Sequence, residues 1–202
     1  MNTDKNTEEK ILDAAKTVFV QYSYDGASMQ KIATEAGINK ALLHYYFRNK
    51  EKLFQAAFVD IFKRFMPALQ QIFQSESDFF DKLRKFIATY IDLLLTQPMV
   101  PIFILQEINR NPDILFTLIT QTGINPEFFA GQALKEMEKG TIIRINPRHL
   151  FINILALCIF PIAARPLLQR VFFENDQKNY EDFLQERKKE VSEFIINAIS
   201  KK

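Results

Sequence analysis

Lys40, His44, Tyr45 and Tyr46 follow one another within two helical turns, with Lys50 just beyond. Their functional groups are ammoniums, an imidazole and phenols, with no carboxylate or thiol among them. Such a set suits the binding of an anion or a base edge. Lysine donates to guanine acceptors, and the neighbouring Asn39 pairs with adenine. Leu42 suits a thymine methyl. The hydroxyls of Tyr45 and Tyr46 donate to phosphates, and His44 suits groove or phosphate. Plainer readings stand beside these. Asn39 serves equally as a helix cap, Leu42 as an incidental surface leucine and His44 as a surface histidine. One of the two tyrosines packs beside Phe47.

Two short helices must position these groups. Ser28 is a good N-cap, because its hydroxyl accepts from an otherwise orphan N–H of the first turn. Ile32, Ala33 and Ala36 give a small inward face. Gly37 falls where that helix must stop, and glycine takes the left-handed conformation at little cost. Asn39 caps the next helix, whose Leu43 and Phe47, four apart, point to one side. This is the layout of a helix-turn-helix, whose second helix enters the DNA major groove. Between Gly26 and Leu53 the bases Lys31, Lys40, Arg48, Lys50 and Lys52 outnumber the acids Glu35 and Glu51. That local sign suits phosphate, whereas the whole-chain charge of +2 argues for nothing.

Catalytic patterns are missing. There is no Gly-rich phosphate loop, no His-Glu-x-x-His, no Cys-x-x-Cys and no nucleophile elbow. The two histidines and the one cysteine lie far apart and form no metal or nucleophile cluster. The expectation is a protein that is not an enzyme, with no cofactor and no metal. The single cysteine excludes an intramolecular disulfide and fits a reducing, cytoplasmic compartment. The polar N-terminus holds no apolar signal segment. Residues 149–164 carry no Asp, Glu, Lys or Arg, but the run is short of the roughly 20 apolar residues a bilayer needs. It reads as a buried helix, with no membrane partner.

At 202 residues, with 48% hydrophobic and 25% charged residues, the chain is globular. Five glycines and no alternating β-branched runs favour an all-α fold of about nine helices. The first covers residues 7–22 and the second and third form the helix-turn-helix. A long fourth starts near Lys50, with Pro67 kinking or ending it. Further starts are marked by Ser75-Glu-Ser77, Asn111-Pro112, Asn125-Pro126 and Asn146-Pro147. Arg165-Pro166 interrupts the apolar helix. In the last helix Tyr180, Leu184, Arg187, Val191, Phe194 and Ala198 alternate at spacings of 4 and 3, the heptad rhythm of a helix along a partner. That partner lies in the same subunit or in a second one.

Beyond the helix pair, Tyr45, Phe47, Lys50 and Leu53 complete an ordered series with Ile11, Ala14, Ala15, Phe19, Ser28, Ile32, Ala33, Ala36, Gly37 and Ile38. In this series, across residues 8–54, the chain resembles the tetracycline-repressor (TetR) family of bacterial regulators. It departs where the family usually has Gly, at Ser23 or Tyr24. It departs again where His44 and Tyr46 stand in exchanged positions.

The resemblance implies a homeodomain-like three-helix DNA-binding domain over 1–48 and a helical effector-binding and dimerisation domain over 49–202. It implies Tyr45, Lys50 and the Ser28 hydroxyl as phosphate ligands. It implies a homodimer on a palindromic double-stranded operator, with a four-helix seam through Ile154, Cys158, Leu184, Arg187, Val191, Phe194 and Ala198. Cys158 by itself reads as a buried core thiol. Most proteins of this resemblance are repressors released by a small effector, although activators share the architecture. A helical interaction protein that no longer binds DNA is a further alternative. Twenty phenylalanines suit a hydrophobic or aromatic effector. Phe65, Phe103, Phe116 and Phe128 are the apolar candidates for its pocket, and Tyr90, Gln106, Glu107 and Asn153 the polar ones. Aromatic residues at helical spacing also read simply as core.

Overall fold

The computed structural model describes residues 2–121 and 126–201, which form eleven helices. They are α1 (Asn2–Gly26), α2 (Met29–Glu35), α3 (Lys40–Tyr46), α4 (Lys50–Gln74), α5 (Phe79–Thr96), α6 (Met99–Arg110), α7 (Pro112–Gln121), α8 (Pro126–Lys139), α9 (Pro147–Ala163), α10 (Arg165–Phe172) and α11 (Gln177–Ile199). Among the described residues the only β pairing is an isolated antiparallel bridge between Ile142 and Ser200. The all-α expectation holds. The helix missed by sequence is α10, because Arg165-Pro166 reads as an interruption whereas Pro166 sits in the first turn of a new helix. Pro67 does not end α4, which continues to Gln74. No single helix among the described residues is long and apolar enough to cross a membrane.

The chain divides into two compact units. One comprises Met1–Met66 with Ile102–Ile124, the other Pro67–Pro101 with Asn125–Lys202. In the first, Ile11, Ala15 and Phe19 of α1, Ile32 and Ala33 of α2, Leu43 of α3, and Leu53, Phe54 and Phe58 of α4 are buried. An aromatic cluster extends this core. Phe54 meets Phe19 edge-on at 5.2 Å and Tyr24 at 5.1 Å, and lies 5.8 Å from Phe103. Edge-to-face pairs of this kind add to what burial alone contributes.

In the second unit α5 packs against α9 and α11. Leu83, Ile87 and Ile91 of α5 are buried, with Leu150, Ile154 and Cys158 of α9 and Leu184, Val191 and Ile195 of α11. Tyr180, fully buried, donates its hydroxyl hydrogen to the Pro161 carbonyl. That carbonyl acceptor spares a buried phenol the cost of an unmade hydrogen bond.

Candidate nucleic-acid interface

The turn between α2 and α3 is closed by backbone geometry that the sequence dictates. Gly37 has φ +66°, the Ile38 N–H bonds to the Ala33 carbonyl at 3.0 Å, and the Gly37 N–H bonds to the Thr34 carbonyl at 3.1 Å. This pair of bonds is the Schellman motif, which requires a left-handed residue at Gly37. Ser28 caps α2 by accepting from the Lys31 N–H at 3.2 Å, and Asn39 caps α3 by accepting from the Leu42 N–H at 2.8 Å. Both side chains are thus fixed by acceptor oxygens. The Ser28 O–H and the Asn39 amide hydrogens are left as donors.

On α3 the inward position is Leu43, fully buried, and Phe47 follows at the helix end, also buried. Rotation by one residue puts Leu42 at the surface, 36% exposed. Lys40 and His44 are exposed, and Tyr45 is 79% exposed. Tyr46 is half-buried and meets the Tyr45 ring edge-on at 5.4 Å. Of the two tyrosines, Tyr45 is therefore the one presented to solvent. The His44 Nδ1 lies 3.2 Å from the Arg48 carbonyl, which ties the imidazole to the exit from α3.

Lys50 opens α4, where Asn49 accepts from the Lys52 N–H at 2.8 Å. Its ammonium lies 4.3 Å from the centre of the Tyr24 ring. Burial, and a hydrogen bond to Glu51, push the Tyr24 phenol up to about 12. Just before Tyr24, Ser23 interrupts α1 with φ +56°. This is the left-handed conformation that glycine would take without strain. The Ser23 hydroxyl donates to Gln106, and the Tyr24 N–H donates to Glu107 at 3.3 Å.

The residues expected to line an effector pocket are placed variously. Phe65 lies outside the residues whose side chains the structure describes. Phe103 is buried beside Phe54 and Phe58, so it is core. Gln106 and Glu107 are occupied by Ser23 and Tyr24, and Glu107 also pairs with Arg110 at 2.6 Å. Phe116 is 71% exposed and Phe128 49% exposed, and Asn153 is exposed. The buried aromatic of that helix is Phe129, next to Phe128 and in an aromatic cluster with Phe73 and Phe151. Tyr90 packs on Phe86, and burial raises its phenol well above the ordinary value.

The residues expected in the dimer seam also divide. Ile154, Cys158, Leu184 and Val191 are buried within their own unit. Arg187 is half-buried and donates from Nη2 to the Leu157 carbonyl at 2.9 Å. Phe194, 65% exposed, and Ala198 remain at the surface. What sequence reasoning missed is a set of exposed apolar residues on α9 and α10. Ile152, Phe160, Leu167, Val171 and Phe172 are each about 60% exposed or more. Between α9, α10 and α11 lies an open groove of about 540 Å³, lined by Leu157, Phe160, Leu168, Phe172, Phe183 and Arg187 among others. The stretch 149–164, free of Asp, Glu, Lys and Arg, was the available signal.

The N-terminal model of the tetR family of bacterial regulatory proteins matches residues 11–57, which cover α1 from Ile11 onward, α2, α3 and the start of α4. The repressor NicS of Pseudomonas putida is 32% identical over 92 residues, covering 46% of this chain and 43% of that protein. The regulator UidR of Escherichia coli is 26% identical over 136 residues, covering 67% of this chain and 69% of that protein. The chain spans between about a third and under a half of the length of the first curated relatives it matches. FadR of Bacillus subtilis, solved in complex with stearoyl-CoA, superposes with a TM-score of 0.72 at 21% identity, covering 95% of this chain and 98% of that one. FadR of Bacillus halodurans gives a TM-score of 0.71 at 18% identity, covering 93% of each. At such identities the likeness is one of fold. Residues 11–57, with the capped α2–turn–α3 unit at their centre, are thus similar to the N-terminal part of the tetR family of bacterial regulatory proteins.

Proposed function

We propose that the chain is a repressor that binds a palindromic operator as a homodimer through residues 1–48. Its release follows when a small hydrophobic or aromatic effector binds within residues 49–202. The observation that carries the DNA-binding part is the exposure of Tyr45 and Lys40 on α3, whose other face is anchored by the fully buried Leu43. In this reading the α3 N-terminus enters the major groove. Lys40, Leu42 and the free Asn39 amide hydrogens read bases there. Tyr45, the Ser28 O–H and Lys50 hold phosphates, and Lys50 adds its charge to the positive end of the α4 dipole. His44 and Tyr46 border this surface, His44 held through the Arg48 carbonyl and Tyr46 against Tyr45.

A palindrome demands a two-fold protein. The exposed apolar surface of α9, α10 and α11, with Phe160, Phe172 and Phe194 at its prominent points, supports the second copy as its cover. Arg187 and Ala198 lie along the same helix. The effector part rests on the aromatic content and on the company the fold keeps. The Bacillus subtilis regulator binds stearoyl-CoA, and AibR was solved with isovaleryl coenzyme A and operator DNA. A hydrophobic acyl group is therefore the first class to offer. The effector acts by binding the DNA-free state more tightly than the DNA-bound one.

The test is footprinting on the intergenic DNA beside the gene, with and without a long-chain acyl-CoA and a panel of aromatic acids. The expected result is protection of one palindrome by two chains, lost on addition of an effector. Protection of an unpaired half-site by one chain would remove the dimer reading. Protection indifferent to every hydrophobic compound would remove the proposed effector class.

A further inference from the structure

Lys50 stands where a cation is disfavoured. It is the first residue of a long helix, and the partial positive charge of the orphan N–H groups lies there. Its ammonium lies over the Tyr24 ring, 4.3 Å from the centre. The negative face of an aromatic ring attracts a cation in this geometry. The same ring takes a second cation, for the Arg110 guanidinium carbon lies 3.9 Å from its centre. Arg110 is in turn held by Glu107, 2.6 Å from its Nε. Glu107 is 2% exposed, and its other oxygen accepts from the Tyr24 N–H. The Arg110 Nη2 is buried with no hydrogen-bond partner. A guanidinium that forgoes a hydrogen bond needs another reason to stay, and stacking on Tyr24 supplies one.

Glu107, Arg110, Tyr24 and Lys50 thus form one chain of contacts running from the end of α6, through the strained turn of α1, to the first residue of α4. We propose that Arg110 and Glu107 are positioning residues for Lys50: together with Glu51 at the phenol and Phe54 at the ring edge, they fix the Tyr24 ring, which holds the Lys50 ammonium in place for a DNA phosphate. This rests on the DNA-binding reading of Lys50 given above. Neither Arg110 nor Glu107 touches DNA in this arrangement.

The test is a double-mutant cycle. Arg110→Met and Lys50→Ala are made singly and together, with Arg110→Lys as a second variant that keeps a cation but loses the planar stack. Affinity for a short random-sequence duplex is measured across a salt series. In parallel, the side-chain protons of Lys50 are followed by NMR without DNA, because the Tyr24 ring current shifts them upfield.

Arg110→Met and Arg110→Lys should each weaken binding about as much as Lys50→Ala does, lowering the salt slope by about 0.9, the value of one phosphate contact. Neither should weaken binding further once Lys50 is Ala. Both should also move the Lys50 protons toward their unshifted positions. Equal losses with and without Lys50 would overturn the proposal, as would Lys50 protons that stay shifted in both Arg110 variants. If Lys50→Ala leaves DNA binding unchanged, the phosphate role of Lys50 fails. The NMR shift would then still report whether Arg110 holds Tyr24 against Lys50.

Discussion

Val191 and Phe194 lie three residues apart on α11, yet Val191 is 2% exposed and Phe194 65% exposed. Both belong to the one stripe that the heptad spacing draws on this helix. The stripe is therefore shared between two environments: its Leu184 and Val191 edge packs on α5 and α9, and its Phe194 edge faces outward. Phe194→Glu should give monomers by sedimentation, with a stability change of about 0.5 kcal/mol or less, as for other surface substitutions. Val191→Glu places a carboxylate in the core and should unfold the chain. A dimer that survives Phe194→Glu together with Phe172→Glu would place the interface elsewhere.

This relationship also marks how far the sequence was legible. Residues 26–53 were, because caps and the turn glycine act locally: Ser28, Gly37 and Asn39 sit as their chemistry requires. The heptad rhythm was legible as an interface but not as to whose. Apolar spacing reports that a face is covered, and both α5 with α9 and a second subunit satisfy it. The surroundings of the pocket candidates were the least legible. Gln106 and Glu107 read as free polar groups in sequence, but the Ser23–Tyr24 turn, 83 residues away, occupies them. A phenylalanine and its neighbour, such as Phe128 and Phe129, cannot be told apart without the phase of the helix.

Gly37→Ala tests the turn that orients α3. A Cβ there meets nothing within 4 Å, so the cost is conformational alone. Placing an L-residue at φ +66° should lower stability by about 1 kcal/mol in urea unfolding. DNA affinity should fall only as far as the folded population does. A larger loss of affinity at full folding would mean that the turn tolerates alanine only by reorienting α3.

Asn39 and Lys40 are adjacent but bear different loads. Asn39→Ala removes the cap to the Leu42 N–H and should cost about 1 kcal/mol of stability. Lys40→Ala, on an exposed side chain, should leave the melting temperature unchanged and alter preference among operator bases in a binding-site selection. A uniform loss across sequences would instead assign Lys40 to a phosphate.

Cys158 is 2% exposed, and burial pushes its thiol from 9.0 up to about 12. The folded state therefore holds the proton more tightly than the unfolded one. The resulting stability is present below pH 9.0 and is lost as pH rises from there toward about 12. At neutral pH the native thiol should resist alkylation and become reactive in urea. Rapid labelling of the native protein would show that α9 opens readily.

The salt dependence of DNA binding tests the central claim most directly. Affinity for a duplex bearing the intergenic palindrome should fall linearly on a double-logarithmic plot of salt, and Tyr45→Ala and Lys50→Ala should each weaken binding without unfolding the chain. Lys50→Ala should make that line shallower by about 0.9, one phosphate charge. An affinity indifferent to salt, or unaffected by both substitutions, would contradict the reading of α3 and the start of α4 as a DNA-binding surface.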